Sequence, residues 1–148
     1  MINEPIQVLL ADDDESDRLL FREAFEEIKI RTVVNTVNDG VELLEYLNNP
    51  KMDLPHILFL DLNMPRKNGI ECLREIKKNE NWKDIAVAIF STSSSPADIE
   101  QTFVQGANIF IRKPNDFDTL KKLLSKSIMM NWQYHTSGLN RDVFMLSL

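Results

Sequence analysis

Short apolar runs alternate with amphipathic stretches along most of the chain. Residues 7–11, 32–37, 57–60, 85–90 and 108–111 are short and either continuously apolar or rich in Thr and Val, so each predicts a strand. Between them apolar residues recur at spacings of three and four. Leu20, Phe21, Ala24, Phe25 and Ile28 mark a first helix, and Val41, Leu43, Leu44 and Leu47 a second. Ile70, Leu73 and Ile76, with Cys72 beside them, mark a third. Ile99, Phe103 and Val104 give the stripe of a fourth, and Leu120, Leu123, Leu124, Ile128 and Met129 that of a fifth, over about 117–132.

The punctuation agrees with this reading. Ser16 or Asp17 is placed to cap the first helix, Asn38, Asp39 and Gly40 turn into the second, and Asn48, Asn49 and Pro50 end it. Pro65, Asn68 and Gly69 form the turn before the third, whose last turn carries Lys77 and Lys78 against the helix dipole. Pro96 suits the first turn of the fourth, and Gly106 stops it.

Strands and helices in strict alternation predict stacked βαβ units, an α/β fold with a doubly wound, five-stranded parallel sheet covered on both faces. Right-handed crossovers then put every strand's carboxyl end on one edge, where ligands bind in open α/β sheets. The acidic loop from Asp12 to Asp17, then Asp61, Ser91 and Lys113 all follow strands and so converge there.

A length of 148 residues, 43% hydrophobic and 27% charged, is most simply one globular domain over residues 1–132, with 133–148 as a C-terminal extension of no assigned structure. That extension ends in Val-Phe-Met-Leu-Ser-Leu, and such a segment is expected to pack back or to pair with a second copy as a homodimer. Seventeen basic against 23 acidic residues leave a net charge of -6, which argues against nucleic acid or an anionic membrane surface and favours a cation or a basic partner. The single cysteine, Cys72, cannot form an internal disulfide, so cytoplasmic surroundings are the expectation. No apolar run approaches the roughly 18 residues of a membrane span, and the first residues lack the layout of a signal peptide.

At the converging edge, Asp13 and Asp61 offer hard oxygen ligands, with Asp12 acting directly or through water, a donor set suited to Mg2+. Clustered carboxylates without a cation repel and raise one another's pKa; the alternative is a solvated, helix-capping acidic loop. A phosphoryl group on Asp61 would find a cation on one side, the Lys113 ammonium on another and the Ser91 hydroxyl on a third. His56 and His135 have no companions at zinc spacing, and no Gly-rich phosphate loop, Gly-x-Ser-x-Gly elbow or calcium-loop spacing occurs.

The Asp12-Asp13 pair, Asp61 in Asp-Leu-Asn-Met-Pro with Gly69 beyond it, Ser91 and Lys113-Pro114 together resemble the response-regulator receiver domain of two-component signalling, over about residues 7–127. The resemblance implies a flavodoxin-like strand order 2-1-3-4-5 and a phosphoryl acceptor at Asp61, charged by a sensor histidine kinase or a phosphotransfer protein. It implies Mg2+ held by Asp12, Asp13, Asp61 and the main-chain carbonyl of Asn63, with Ser91 and Lys113 gripping the phosphoryl group. It also implies a signalling domain rather than an enzyme, one that assists its own phosphorylation and dephosphorylation. The Lys113-Pro114 bond is expected to be cis. The switch of such domains couples Ser91 to an aromatic on the last strand, here Phe110, which lacks the polar tip of a tyrosine. With no further domain after residue 132, a stand-alone receiver is expected, in style like the partners of bacterial phytochrome-type kinases. Two rival readings are a receiver-like interaction module that is never phosphorylated and a phosphohydrolase, which would want an Asp where Asn63 stands.

Overall fold

The third strand reads Ile-Leu-Phe-Leu and all four side chains are buried, as the centre of a sheet covered on both sides requires. In the computed structural model, which describes residues 4–93 and 95–137, with side chains as far as Met130, this strand lies in the middle of five. The strands are β1 (Ile6–Ala11), β2 (Thr32–Val37), β3 (Ile57–Leu60), β4 (Ala86–Ser91) and β5 (Ile109–Arg112). They alternate with α1 (Glu15–Glu27), α2 (Gly40–Asn48), α3 (Gly69–Lys78), α4 (Pro96–Val104) and α5 (Phe117–Ser137). All pairings are parallel, in the order β2-β1-β3-β4-β5. The expected fold class and flavodoxin-like order therefore hold.

Alternation within the apolar strands divides the core in two. Leu9, Leu58, Leu60, Val87, Ile89 and Phe110 face one side with Leu43, Leu47, Leu73 and Ile76 of α2 and α3. Val8, Leu10, Phe59 and Phe90 face the other with Phe21, Phe25, Leu120 and Leu124 of α1 and α5. On that second side Phe21 meets Phe59 edge-on at 5.1 Å between ring centroids, a favoured aromatic geometry.

Several details depart from expectation. The cap of α1 is Asp14, whose carboxylate accepts from the N–H of Asp17 at 2.9 Å, because the helix begins earlier, at Glu15. Leu20, Val104 and Met129, all assigned to buried stripes, are 44%, 70% and 62% exposed. Each lies on the margin of its stripe, and a helix packed on a sheet from one side buries only the centre. On α4 the buried position is instead Thr102, whose hydroxyl donates to the Asp98 carbonyl at 2.8 Å. Lys77 reaches past its own helix end and donates to the carbonyls of Lys83 and Ile85, securing the entry to β4. No cis peptide occurs among the described residues, so the Lys113-Pro114 bond is trans, the form an X-Pro amide intrinsically prefers by about 0.5–1 kcal/mol. Helix α5 continues past Trp132 to Ser137, while 138–148 and the homodimer expected of them lie outside the described residues.

Candidate functional site

Strand register builds the site. Ala11 pairs with Leu60, and the ladder runs one step further, with the N–H of Asp61 donating to the Ala11 carbonyl at 3.0 Å. Asp12 and Asp61 therefore leave adjacent strands side by side. On the far side of β1, the Asp12 N–H donates to Val37 of β2 at 3.1 Å. Since β1 and β3 are neighbours whose connections leave to opposite faces of the sheet, the crevice between their ends is the topological switch point, where α/β sheets bind ligands. A similar extra step joins β4 to β5: the N–H of Lys113 donates to the Ser91 carbonyl at 2.9 Å. Ser91, the last residue of β4, is fully buried.

The acidic residues meet as expected. Asp12, Asp13 and Asp61 each offer a carboxylate oxygen, and these oxygens lie within 4.8 Å of one another. Asp12 and Asp61 are buried and Asp13 is exposed. Lys113, its side chain only 10% exposed, places its ammonium 2.8 Å from Oδ2 of Asp12 and 3.6 Å from Oδ2 of Asp61. The ring of Phe90 lies beneath that ammonium at 5.4 Å.

One cation does not balance this charge. Burial, and then the charges of Asp12 and Asp13, push the Asp61 carboxyl up to about 6 despite the attraction of Lys113. Burial raises Asp12 as well. Burial alone would lower Lys113, but its contacts with Asp12 and Asp17 prevail and hold it above the usual lysine value. Oδ1 of Asp12 accepts from the N–H of Asp14 at 3.0 Å. Oδ2 is buried and ion-paired with the Lys113 ammonium at 2.8 Å. Surplus negative charge and converging hard donors fit a divalent cation.

Asn63 is exposed, and its N–H donates to Oδ1 of Asp61 at 3.3 Å, steadying that carboxylate. The Ser91 hydroxyl oxygen accepts from the N–H of Ser93 at 3.2 Å. Phe110 pairs with Ile89 on β4 and is fully buried; Ser91, two residues after Ile89, points to the same face. His56 is held structurally, its Nδ1 accepting from the N–H of Gln7 at 2.8 Å.

Three features escaped the sequence. Asp17 also pairs with Lys113, at 2.8 Å. Arg66, in left-handed backbone at φ 66°, forms a two-pronged bond with the cap of α2, Asp39, at 2.9 and 3.0 Å. Gly69 is required by close approach, since a Cβ there would strike the carbonyl of Asp61.

A family model for the response regulator receiver domain matches residues 8–125. The chain belongs to that family. A similar sequence is response regulator Rcp1 of Synechocystis, 30% identical over 129 residues that cover 82% of this chain and 86% of Rcp1. Among solved structures, the phosphorylated cyanobacterial phytochrome response regulator RcpA superposes with a TM-score of 0.79 at 30% identity, over 90% of this chain and 98% of that one. The Mn(2+)-bound form of Rcp1 gives 0.76 at 26% identity, over 92% and 99%. The receiver therefore has homologues among single-domain response regulators, and its Asp12–Asp13–Asp61 cluster matches what a metal-assisted phosphoacceptor needs.

Proposed function

We propose that this receiver accepts a phosphoryl group on Asp61 from a phosphohistidine of a sensor histidine kinase or phosphotransfer protein, and so switches a protein-docking surface. The observation that carries the reading is the buried Asp61, raised to about 6 beside Asp12 and Asp13 and within 3.6 Å of a single lysine. In the transfer an Asp61 oxygen attacks phosphorus, the P–N bond breaks and the neutral imidazole leaves after protonation. Asp12, Asp13, Asp61 and the carbonyl of Asn63 would hold Mg2+, which supplies positive charge for the phosphoryl oxygens. The Lys113 ammonium moves from 3.6 Å onto the arriving group. The Ser91 hydroxyl, accepting from Ser93, has its proton to donate to another phosphoryl oxygen.

The switch follows from that donation. Drawing Ser91 toward Asp61 rearranges the loop after β4 on the face that holds Phe110, and phosphorylation favours the new arrangement by the difference in contacts between the two. Because Rcp1 and RcpA are single-domain-sized relatives and RcpA is a phytochrome response regulator, a stand-alone receiver paired with a phytochrome-type kinase is the best-supported partner class. Family membership supports a cytoplasmic setting.

Incubation with a small phosphodonor and Mg2+ tests the reading by intact mass. Wild type gains one phosphoryl group, lost again when Mg2+ is omitted, and Asp61→Asn gains none. Full labelling of Asp61→Asn would overturn the assignment.

A further inference from the structure

We propose that Asp17 is a positioning residue for Lys113, holding its ammonium back from Asp61 until a phosphoryl group arrives. This deepens the phosphoacceptor reading and rests on it. The Lys113 ammonium lies 2.8 Å from Oδ2 of Asp17 and 2.8 Å from Oδ2 of Asp12, but 3.6 Å from Asp61. The group that must grip the phosphoryl oxygens thus sits closer to Asp12 and Asp17 than to the acceptor, with which it keeps only the longer contact.

Local chemistry explains why Asp17 is available. It occupies the third position of α1, where an acidic side chain ordinarily turns back to the N–H of the cap. Helix α3 shows that arrangement: Glu71 accepts from the N–H of its cap, Asn68, at 3.1 Å. In α1 the N–H of the cap, Asp14, already donates to Asp12. The carboxylate of Asp17 is therefore released from its usual partner and faces Lys113 instead.

The consequence concerns occupancy. A divalent cation drawing on the oxygens of Asp12 repels the nearby ammonium, which then chooses between Asp17 and the phosphoryl oxygens on Asp61. With Lys113 10% and Asp17 33% exposed, their attraction is only partly screened by water. The charge of Asp17 weighs against the activated arrangement, so its removal favours that arrangement.

Calorimetric titration with beryllofluoride, a phosphoryl mimic, at saturating Mg2+ tests this on wild type, Asp17→Asn, Asp17→Glu, Lys113→Ala and the double variant Asp17→Asn/Lys113→Ala. Asp17→Asn should bind about threefold to tenfold tighter than wild type, a modest shift as expected for one partly exposed ion pair. Asp17→Glu, which keeps the charge, should stay within about twofold of wild type, and the Asn effect should vanish when Lys113 is absent. Equal or weaker binding by Asp17→Asn overturns the inference, as does the same tightening in the Lys113→Ala background, which would mean a general loss of negative charge. If wild type itself fails to bind beryllofluoride with Mg2+, the phosphoacceptor reading falls and this inference with it.

Discussion

Two buried carboxylates at one sheet edge meet opposite electrostatic fates. Asp39 caps α2, accepting from the N–H of Glu42 at 2.9 Å, and is gripped by both prongs of the Arg66 guanidinium. Burial alone would raise it, but the Glu42 N–H and the Arg66 charge prevail and hold its carboxyl below the usual aspartate range. Asp61, across the crevice, is raised to about 6, because burial and its acidic neighbours outweigh a single shared lysine. A carboxylate whose charge is met is a clamp. One whose charge is not met is a place for something positive to bind. The clamp also secures the site, for Arg66 lies in the loop between β3 and α3 that carries Asp61, and its left-handed backbone costs about 1–2 kcal/mol that the paired guanidinium offsets.

The contrast can be broken first at the chemistry. Asp61→Asn should abolish phosphoryl acceptance, whereas Asp39→Ala should still take up one phosphoryl group at saturating phosphodonor; intact-mass measurement reads both, and loss of labelling in Asp39→Ala would erase the distinction between clamp and acceptor. Next is pH. In the metal-free protein Asp61 titrates at about 6, against roughly 3.9 in the unfolded chain, so the native state binds the extra proton between those values. The sign follows: stability falls as pH rises from about 4 through 6, and protons compete with Mg2+ below about 6, weakening its binding by up to tenfold per pH unit. Mg2+ titrations from pH 5 to 8 check this, and an affinity flat across that range would contradict it.

Stability provides the third contrast. Asp39→Ala removes a helix cap and the partner of a half-exposed Arg66, costing about 1–2 kcal/mol in urea unfolding. Smallest is Arg66→Lys, which keeps a charge and loses the fork, at about 1 kcal/mol by the same method. A cost as large as that of Asp39→Ala would mean the two-pronged geometry, rather than the charge, holds the loop.

Much of the fold was legible because apolar runs such as Ile57–Leu60 have one interpretation when helical patterns stand on either side. Chain order and handedness then placed Asp12, Asp61, Ser91 and Lys113 on one edge without knowledge of any distance. Periodicity locates a stripe but not which of its margins a sheet will cover, so Leu20, Val104 and Met129 were misjudged. Asp17 and Arg66 were missed for another reason: each finds its partner far along the chain, Lys113 and Asp39, and no spacing rule marks such a pair. Asp17 was read as a possible cap, a role that belongs to Asp14, and the backbone position of the true cap is what turns Asp17 toward the lysine.

The claim that Asp61 carries unmet charge is tested most directly by thermal unfolding of wild type and Asp61→Asn at pH 7, each with and without Mg2+. Without metal the variant should be the more stable, by up to about 3 kcal/mol for a carboxyl raised from 3.8 to about 6. With Mg2+ wild type should gain stability and the variant far less, so the order narrows or reverses. A metal-free variant that is no more stable than wild type, together with an equal response of both to Mg2+, would contradict the account.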